Sequence, residues 1–222
     1  MQVTAITTVY RTPDLIKDCY ESFRRFYPHM TFIIVDNSVD DSCTPQFREW
    51  MKTDHHSIIV HNTENEGHGD GMHQAIGLAN SPYLFIMDSD VVIKKQGLIE
   101  DMMERMTNEI YGIGWILNLD RGGRNVPSNF RGEIVKYLYP AFMLLNRGLY
   151  YKFHKFTRFG LPPLRAMQEI HDQGLSHKLL IDFPIRDYLI HKSGATRGRY
   201  GDCEDIVSGF KGKKGDMNSL DI

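Results

Sequence analysis

The chain has 222 residues, with 26 Lys and Arg against 28 Asp and Glu for a net charge of −2, and its 41% hydrophobic and 24% charged content is that of an ordinary soluble globular protein. No apolar stretch approaches the roughly eighteen residues of a membrane span, so no transmembrane helix is expected. Three widely spaced cysteines, Cys19, Cys43 and Cys203, exclude a disulfide frame or a cysteine zinc site and fit a reducing cytosol.

The length suits one large domain with a central sheet covered on both faces. Met1-Gln2-Val3 leads straight into a strand with no basic-then-apolar leader, so a cytoplasmic protein is expected and a membrane-tethered lumenal one is not. Val3 to Val9 reads as a strand. Thr12-Pro13-Asp14 then supplies an N-cap, a first-turn proline and an early carboxylate for a helix to about Phe26. Thr31 to Val35 is a second strand ending at Asp36. A polar loop and short helix run to about Lys52, a strand spans Ser57 to Val60, a Gly-rich loop Glu66 to Gly71, and a helix continues to about Ala79. Tyr83 to Met87 is a continuous apolar run, the pattern of a buried strand. Alternating strands and helices in this order predict a mostly parallel sheet with right-handed crossovers.

Beyond this point the pattern loosens. Gly97 to Asn108 reads as a helix, Tyr111 to Leu117 as a strand, Asp120 to Gly132 as a loop, and Tyr139 to Leu145 as a buried strand. Leu164 to Gln173 reads as a helix, Lys178 to Phe183 and Ile185 to Ile190 as strands, and the lysine-rich stretch from Gly209 to Ile222 as a mobile tail. The organisation expected is a single domain with a regular half over 1–93, a looser half over 94–208, and the tail.

Charge is unevenly spread: residues 1–110 carry nine Lys/Arg against seventeen Asp/Glu, whereas residues 111–165 carry nine against two and interleave them with aromatics from Phe130 to Phe159. Two readings stay open for that middle segment. It is either a packed region whose cations reach water along apolar stems, or a face for a phosphorylated, lipid-linked or nucleic-acid acceptor.

The chemistry concentrates at Asp88-Ser89-Asp90, two carboxylates one residue apart where the buried strand surfaces. In open α/β sheets ligands gather at the carboxyl ends of strands, and hard oxygen donors there suit a divalent ion that neutralises a diphosphate. Gly67-His68-Gly69-Asp70-Gly71 is G-x-G-x-G, not the G-x-G-x-x-G of a dinucleotide site.

Four pieces in order resemble the nucleotide-sugar half of a GT-A glycosyltransferase, most closely glycosyltransferase family 2. They are Ile6 to Pro13, Ile33 to Ser38, Asn62 to Gly67 with the helix after it, and Leu84 to Asp90. The resemblance implies a GT-A α/β fold and a metal-dependent, inverting transfer of a sugar from a nucleotide-diphosphate donor, UDP being the more frequent. By it Thr8, Val9, Tyr10 and the adjoining Arg11 line the nucleotide pocket, and Asp36 contacts base or ribose, although Asp36-Asn37 also suits an Asx-turn. Asp70 or His73 is expected close to the donor, with His73 standing near where the family usually has Asn. Asp88 and Ser89 hold the donor, while Asp90 with Asp88 and the late His191 hold the ion, the imidazole favouring Mn²⁺ over Mg²⁺.

Beyond His191, Arg197 or Arg199 is expected to reach a phosphate as a charge-assisted donor. Glu169 to Leu175 resembles the segment in which the family places its general base, with His171 where the first acid usually stands, which makes Asp172 the first choice and Glu169 the second. The acceptor implied is a glycan or lipid-linked glycan, reached at most by peripheral membrane contact. Hydroxymethylated DNA and a catalytically silent nucleotide-sugar or polyanion binder remain as alternatives. A sugar-nucleotide pyrophosphorylase is disfavoured, since Tyr10-Arg11-Thr12-Pro13 replaces its Gly-rich basic loop.

Overall fold

A computed structural model describes residues 2–192 except 128, 158 and 159. Arg197 and the tail from residue 209 onward therefore lie outside the described residues.

The strands are β1 (Val3–Val9), β2 (Phe32–Asp36), β3 (Ser57–His61), β4 (Tyr83–Met87), β5 (Val91–Ile93), β6 (Gly112–Leu119), β7 (Val135–Asn146), β8 (Leu180–Asp182) and β9 (Leu189–His191). The helices are α1 (Pro13–Phe26), α2 (Thr44–Met51), α3 (His68–Leu78), α4 (Leu98–Arg105), α5 (Arg147–Tyr150), α6 (Leu164–Asp172) and α7 (Ser176–Leu179). The large sheet runs β3-β2-β1-β4-β7-β6-β8, and β5 and β9 form a small second sheet. Neighbouring strands of the large sheet are parallel except where β7 runs against β4 and β6. This is the mixed α/β, mostly parallel architecture that the resemblance to GT-A proteins implies.

Alternation along the strands divides the core into two layers. Ala5, Phe32, Ile34, Phe85 and Met87 face Ile16, Cys19 and Phe23 of α1, Phe47 of α2 and Leu98, Ile99 and Met102 of α4. Ile6, Ile33, Val35, Leu84 and Ile86 face Met72, Ala75 and Ile76 of α3 and Ala166, Met167 and Ile170 of α6. With both faces covered, β1, β2 and β4 read as unbroken apolar or Thr-bearing runs, as buried parallel strands do.

Several local expectations are corrected. The stretch from Gly67 to Gly71, expected as a loop, is the start of α3, with Gly67 at its N-cap at φ 87°. Helix-poor glycines sit inside it because neighbours approach too closely for a side chain. A Cβ on Gly69 would lie 1.7 Å from the Thr157 carbonyl oxygen, and one on Gly71 would lie 2.9 Å from Thr8 Cγ2. Gly77, farther along α3, meets nothing within 4 Å. Gly69→Ala is therefore expected to cost about 2–3 kcal/mol through forced separation of packed backbone, although alanine is the better helix former. Gly77→Ala should instead add about 0.5–1 kcal/mol, since only propensity acts there. Urea denaturation of the two variants checks the opposite signs.

Strand β7 begins at Val135, earlier than Tyr139, because it pairs back along β6 with a bulge between Gly114 and Ile116. The stretch from Lys178 begins as helix α7, so that strand is shortened to Leu180–Asp182. Ile185 to Ile190 is not one strand: Ile185–Asp187 forms a 3-10 turn after Pro184, and only Leu189–His191 pairs. Strand β5, not expected from the sequence, is what it pairs with.

Candidate active site

Strand β4 lies between β1 and β7, so its carboxyl end emerges at the middle of the sheet. Asp88 N donates to Ala141 O of β7 at 2.8 Å, and Val91 N to Asp88 O at 3.2 Å, which folds residues 88–91 into a tight turn. The turn delivers Val91 into register opposite His191. Lys192 N then closes on Asp90 O at 3.0 Å. Two three-residue strands thus bring residues a hundred positions apart to one point.

There His191 Nε2 stands 3.1 Å from Asp90 Oδ1 and 3.8 Å from Asp88 Oδ2. The imidazole is almost wholly buried, edge-on to the Tyr139 and Phe142 rings at 5.9 and 5.7 Å between centroids. Its Nδ1 is buried and has no hydrogen-bond partner among the described residues. Burial pushes the His191 pKa down, but the Asp90 contact and the charges of Asp88 and Asp90 outweigh it, so the net direction is up. These carboxylates concentrate enough negative charge to favour a cation between them. Asp88, Asp90 and His191 offer one donor atom each, all within 4.8 Å of one another. Two hard oxygens and one imidazole nitrogen at that spacing fit a divalent ion such as Mn²⁺.

A histidine that the sequence reading left without a role joins them: His68 Nε2 lies 3.0 Å from Asp88 Oδ1. The only signal for it was its place in the Gly-rich run, which opens a helix at the carboxyl edge of β3.

The expected nucleotide residues line the same edge. Thr8 is buried against Gly71 of α3, and Ser89 is buried in the turn after β4. Arg11 is the one non-glycine residue of positive φ, 52°, among the described residues. Its backbone N–H donates to Ser38 Oγ at 2.7 Å, its Nε lies 2.9 Å from Asp40 Oδ2, and its guanidinium covers the Tyr10 ring at 5.2 Å. Asp36 does form the Asx-turn, accepting Ser38 N at 2.9 Å, while His61 Nδ1 lies 3.2 Å from its other oxygen. Beside that pair opens a cavity of about 740 Å³ lined by Ser38, Asp40, Thr44, His61 and Asn62. Asn62 is held by Asn37 and Gln74, which ties the end of β3 to α3. Asp70 sits in the first turn of α3 and close enough to His73 to raise its pKa, against the larger lowering by burial and Lys155. His73 Nδ1 contacts Tyr150 OH at 2.8 Å, and that hydroxyl also accepts Phe156 N, so His73 fastens α3 to the segment after α5.

The two acids of α6 are held in other clusters. Asp172 pairs with Arg121, which also binds Glu133 through both oxygens, and His171 Nε2 reaches Glu133 at 2.9 Å. Glu169 accepts from the backbone N–H of His154 and pairs with its ring. Burial alone would raise the Glu169 carboxyl, but the contacts with His154 hold it below its ordinary range. Arg121 and Glu133 belong to the β6–β7 connection, and β6 points the same way as β4, so the Asp172 cluster stands beyond the same carboxyl edge as Asp88. Of the middle segment's aromatics among the described residues, Tyr137, Phe142, Tyr150 and Phe156 are buried and Phe130 and Tyr151 are well exposed, so much of this character serves the core.

The family model for glycosyl transferase family 2 matches residues 4–159, well over half of the chain. The glycosyltransferase TuaG of Bacillus subtilis, named for teichuronic acid biosynthesis, is 33% identical over 107 residues, covering 46% of this chain and 42% of its own. Among solved structures, the mannosyltransferase PcManGT of Pyrobaculum calidifontis, in complex with GDP-Man and Mn²⁺, superimposes with a TM-score of 0.65 at 16% identity, covering 82% of this chain and 55% of that one. S. aureus TarS 1-349 in complex with UDP-GlcNAc does so with a TM-score of 0.57 at 16% identity, covering 85% and 58%. In each case this chain spans less than two thirds of the relative's length. The matched region contains β1, β2, the start of α3 and the Asp88-Ser89-Asp90 turn, and on that ground the chain belongs to glycosyltransferase family 2.

Proposed function

We propose that this chain is a metal-dependent, inverting glycosyltransferase that moves a sugar from a nucleoside-diphosphate donor, UDP in our assignment, to a hydroxyl of a glycan or lipid-linked glycan, acting in the cytoplasm. The convergence of Asp88, Asp90 and His191 at the tip of β4 carries this reading. The teichuronic acid relative supports a glycan acceptor, and the UDP-GlcNAc and GDP-Man complexes of the structural neighbours support a nucleotide-sugar donor. Mn²⁺ is our assignment for the ion, which Asp90, Asp88 and His191 would hold and which would supply positive charge against the departing diphosphate.

The chain's own residues do the rest. In this reading the base takes up the groove beside Asp36 and His61, Thr8, Val9, Tyr10 and Arg11 serve the nucleotide from the end of β1, and Asp70 lies near the sugar. Asp88 and Ser89 hold the ribose side of the donor, and Arg197 meets a phosphate. The acceptor oxygen attacks the anomeric carbon as the bond to the phosphate oxygen breaks, the electron pair leaves with the diphosphate, and the hydroxyl proton passes to a carboxylate. Asp172 is our first choice for that base. Its pair with Arg121 is about half exposed on each side, and solvent screens such pairs, so releasing Asp172 to an acceptor costs little. Glu169 is second, because both the backbone N–H and the ring of His154 engage its carboxylate.

The test is a thermal-shift screen of UDP- and GDP-sugars with and without Mn²⁺. A donor at about a hundred times its Kd adds roughly 2.7 kcal/mol and a clear rise in melting temperature. The rise should need Mn²⁺ and should survive Asp172→Asn, while the transfer rate of that variant falls at least a hundredfold. A shift that is the same in chelator would refute metal dependence.

A further inference from the structure

We infer that His61 is the residue that reads the nucleobase of the donor, and that Asp36 acts on the nucleobase only through it. This rests on the assignment of a nucleoside-diphosphate sugar as the donor and of the groove beside Asp36 and His61 as the place of its nucleobase. The Asp36 side chain is 1% exposed and is not among the walls of that groove, whereas the His61 side chain is 50% exposed and is one of them. Both oxygens of Asp36 are also engaged from within the chain. Oδ1 accepts Ser38 N at 2.9 Å, and Oδ2 lies 3.2 Å from His61 Nδ1. A carboxylate enclosed in this way does not reach a nucleobase in the groove, but the imidazole in front of it does.

The pair also fixes what His61 presents. A carboxylate only accepts, so the hydrogen of the contact sits on Nδ1, and in the neutral imidazole the other nitrogen, Nε2, is then an acceptor. Ring geometry turns Nε2 away from Asp36, and it has no hydrogen-bond partner among the described residues. The Phe47 ring lies against the imidazole at 5.7 Å between centroids, which limits how it can turn. Two polar neighbours on the same wall are already engaged: Ser38 Oγ accepts Arg11 N at 2.7 Å, and the Asn62 amide is held through both of its heteroatoms by Asn37 and Gln74. An acceptor at Nε2 suits a nucleobase that offers a ring N–H, N3–H of uracil or N1–H of guanine. Cytosine and adenine carry an acceptor at the corresponding ring nitrogen, and two acceptors repel. The donor class selected is therefore a uracil or guanine nucleotide, chosen by the polarity of one hydrogen bond.

The experiment measures the binding of UDP, GDP, CDP and ADP, and of UDP and GDP methylated at the ring nitrogen, by calorimetry with Mn²⁺ at about pH 8, above the ordinary histidine range. Wild type is expected to bind either UDP or GDP, and to bind it about tenfold or more tightly than its methylated form and than CDP and ADP. His61→Ala should bring the preferred nucleotide and its methylated form to within about twofold of each other. In Asp36→Asn the carbonyl oxygen keeps Ser38 N and the amide NH₂ faces Nδ1, so the ring hydrogen moves to Nε2 and His61 becomes a donor. CDP or ADP should then gain about tenfold on the nucleotide that wild type prefers, a reversal that loosened packing does not produce. Because Asp36 is buried, the melting temperature of Asp36→Asn is measured first, and His61→Ala decides alone if that variant is unfolded. Discrimination against the methylated form that persists in His61→Ala overturns the inference and leaves the donor reading standing. So does a wild type that binds a nucleotide and its methylated form equally. A wild type that binds none of the four nucleotides removes the donor reading itself, and this inference with it.

Discussion

Asp90→Asn is expected to lower kcat/KM for sugar transfer by about 10²–10³-fold and to abolish the Mn²⁺ dependence of donor binding, on the order of 3–4 kcal/mol of lost transition-state stabilisation. The change preserves shape and removes one charge. Asp90 is the most enclosed carboxylate of the cluster, 10% exposed against 22% for Asp88, and it makes the shorter contact with His191. In a site from which water is so largely excluded, its charge acts at lower effective dielectric than a surface acid would. Because a diphosphate needs neutralising most as it leaves, the loss should fall on kcat and not only on KM. Steady-state kinetics with and without Mn²⁺ decide this; a variant with near-normal kcat would show that the ion is not held here.

The largest effect on stability is expected at the opposite edge of the sheet. Asp54 Oδ2 accepts from Tyr20 OH at 2.6 Å, Arg24 Nε at 2.7 Å and Ser57 Oγ at 2.6 Å, and Oδ1 accepts from His56 N at 2.8 Å. Arg24 in turn donates to Tyr27 O, Met30 O and Ser57 Oγ, which pins the end of α1 to the entries of β2 and β3. Both side chains are nearly buried, so Asp54→Ala would leave a guanidinium enclosed and unbalanced, at a cost of about 3–5 kcal/mol. Burial by itself would raise the Asp54 carboxyl, but the hydrogen bonds from Ser57, Tyr20 and His56 and the charge of Arg24 outweigh it and bring it down from 3.8 to about 2. A carboxyl depressed by folding contributes stability above its unfolded value and loses it as pH falls through its folded one. Wild type and Asp54→Ala should therefore differ fully at pH 5 to 7 and converge as pH drops from about 4 toward 2. Urea denaturation across that range measures it, and a gap that stays constant with pH would show that the charge of Asp54 is not the source.

The Asp88-Ser89-Asp90 site was legible because Tyr83 to Met87 is apolar without interruption, a pattern that a strand buried on both faces imposes whatever its neighbours. His191 was legible only through resemblance. Strand β9 has three residues, too few for any period, and its pairing with β5 is invisible until both are placed. His68 was hidden for a different reason: three glycines in five residues read as a loop, whereas close contacts with Thr157, Thr8 and Asn37 are what require glycine at positions 69 and 71 of a helix. The basic-aromatic character of residues 111–165 was equally ambiguous, since composition cannot say which side of β7 a tyrosine faces, and Tyr137 proved to be core.

Order along the chain by itself determined the alternating α/β class, the parallel half of the sheet and the strand end that carries the two acids, because periodicity and the short range of turn and cap preferences are local properties. Tertiary structure alone decided which distant imidazoles meet those acids, which oxygen of Asp88 each one faces, and that Asp172 stands tied to Arg121 beyond the same edge. Those outcomes depend on strand register and helix approach, in which a shift of one residue turns every side chain to the other face, and no local preference encodes them.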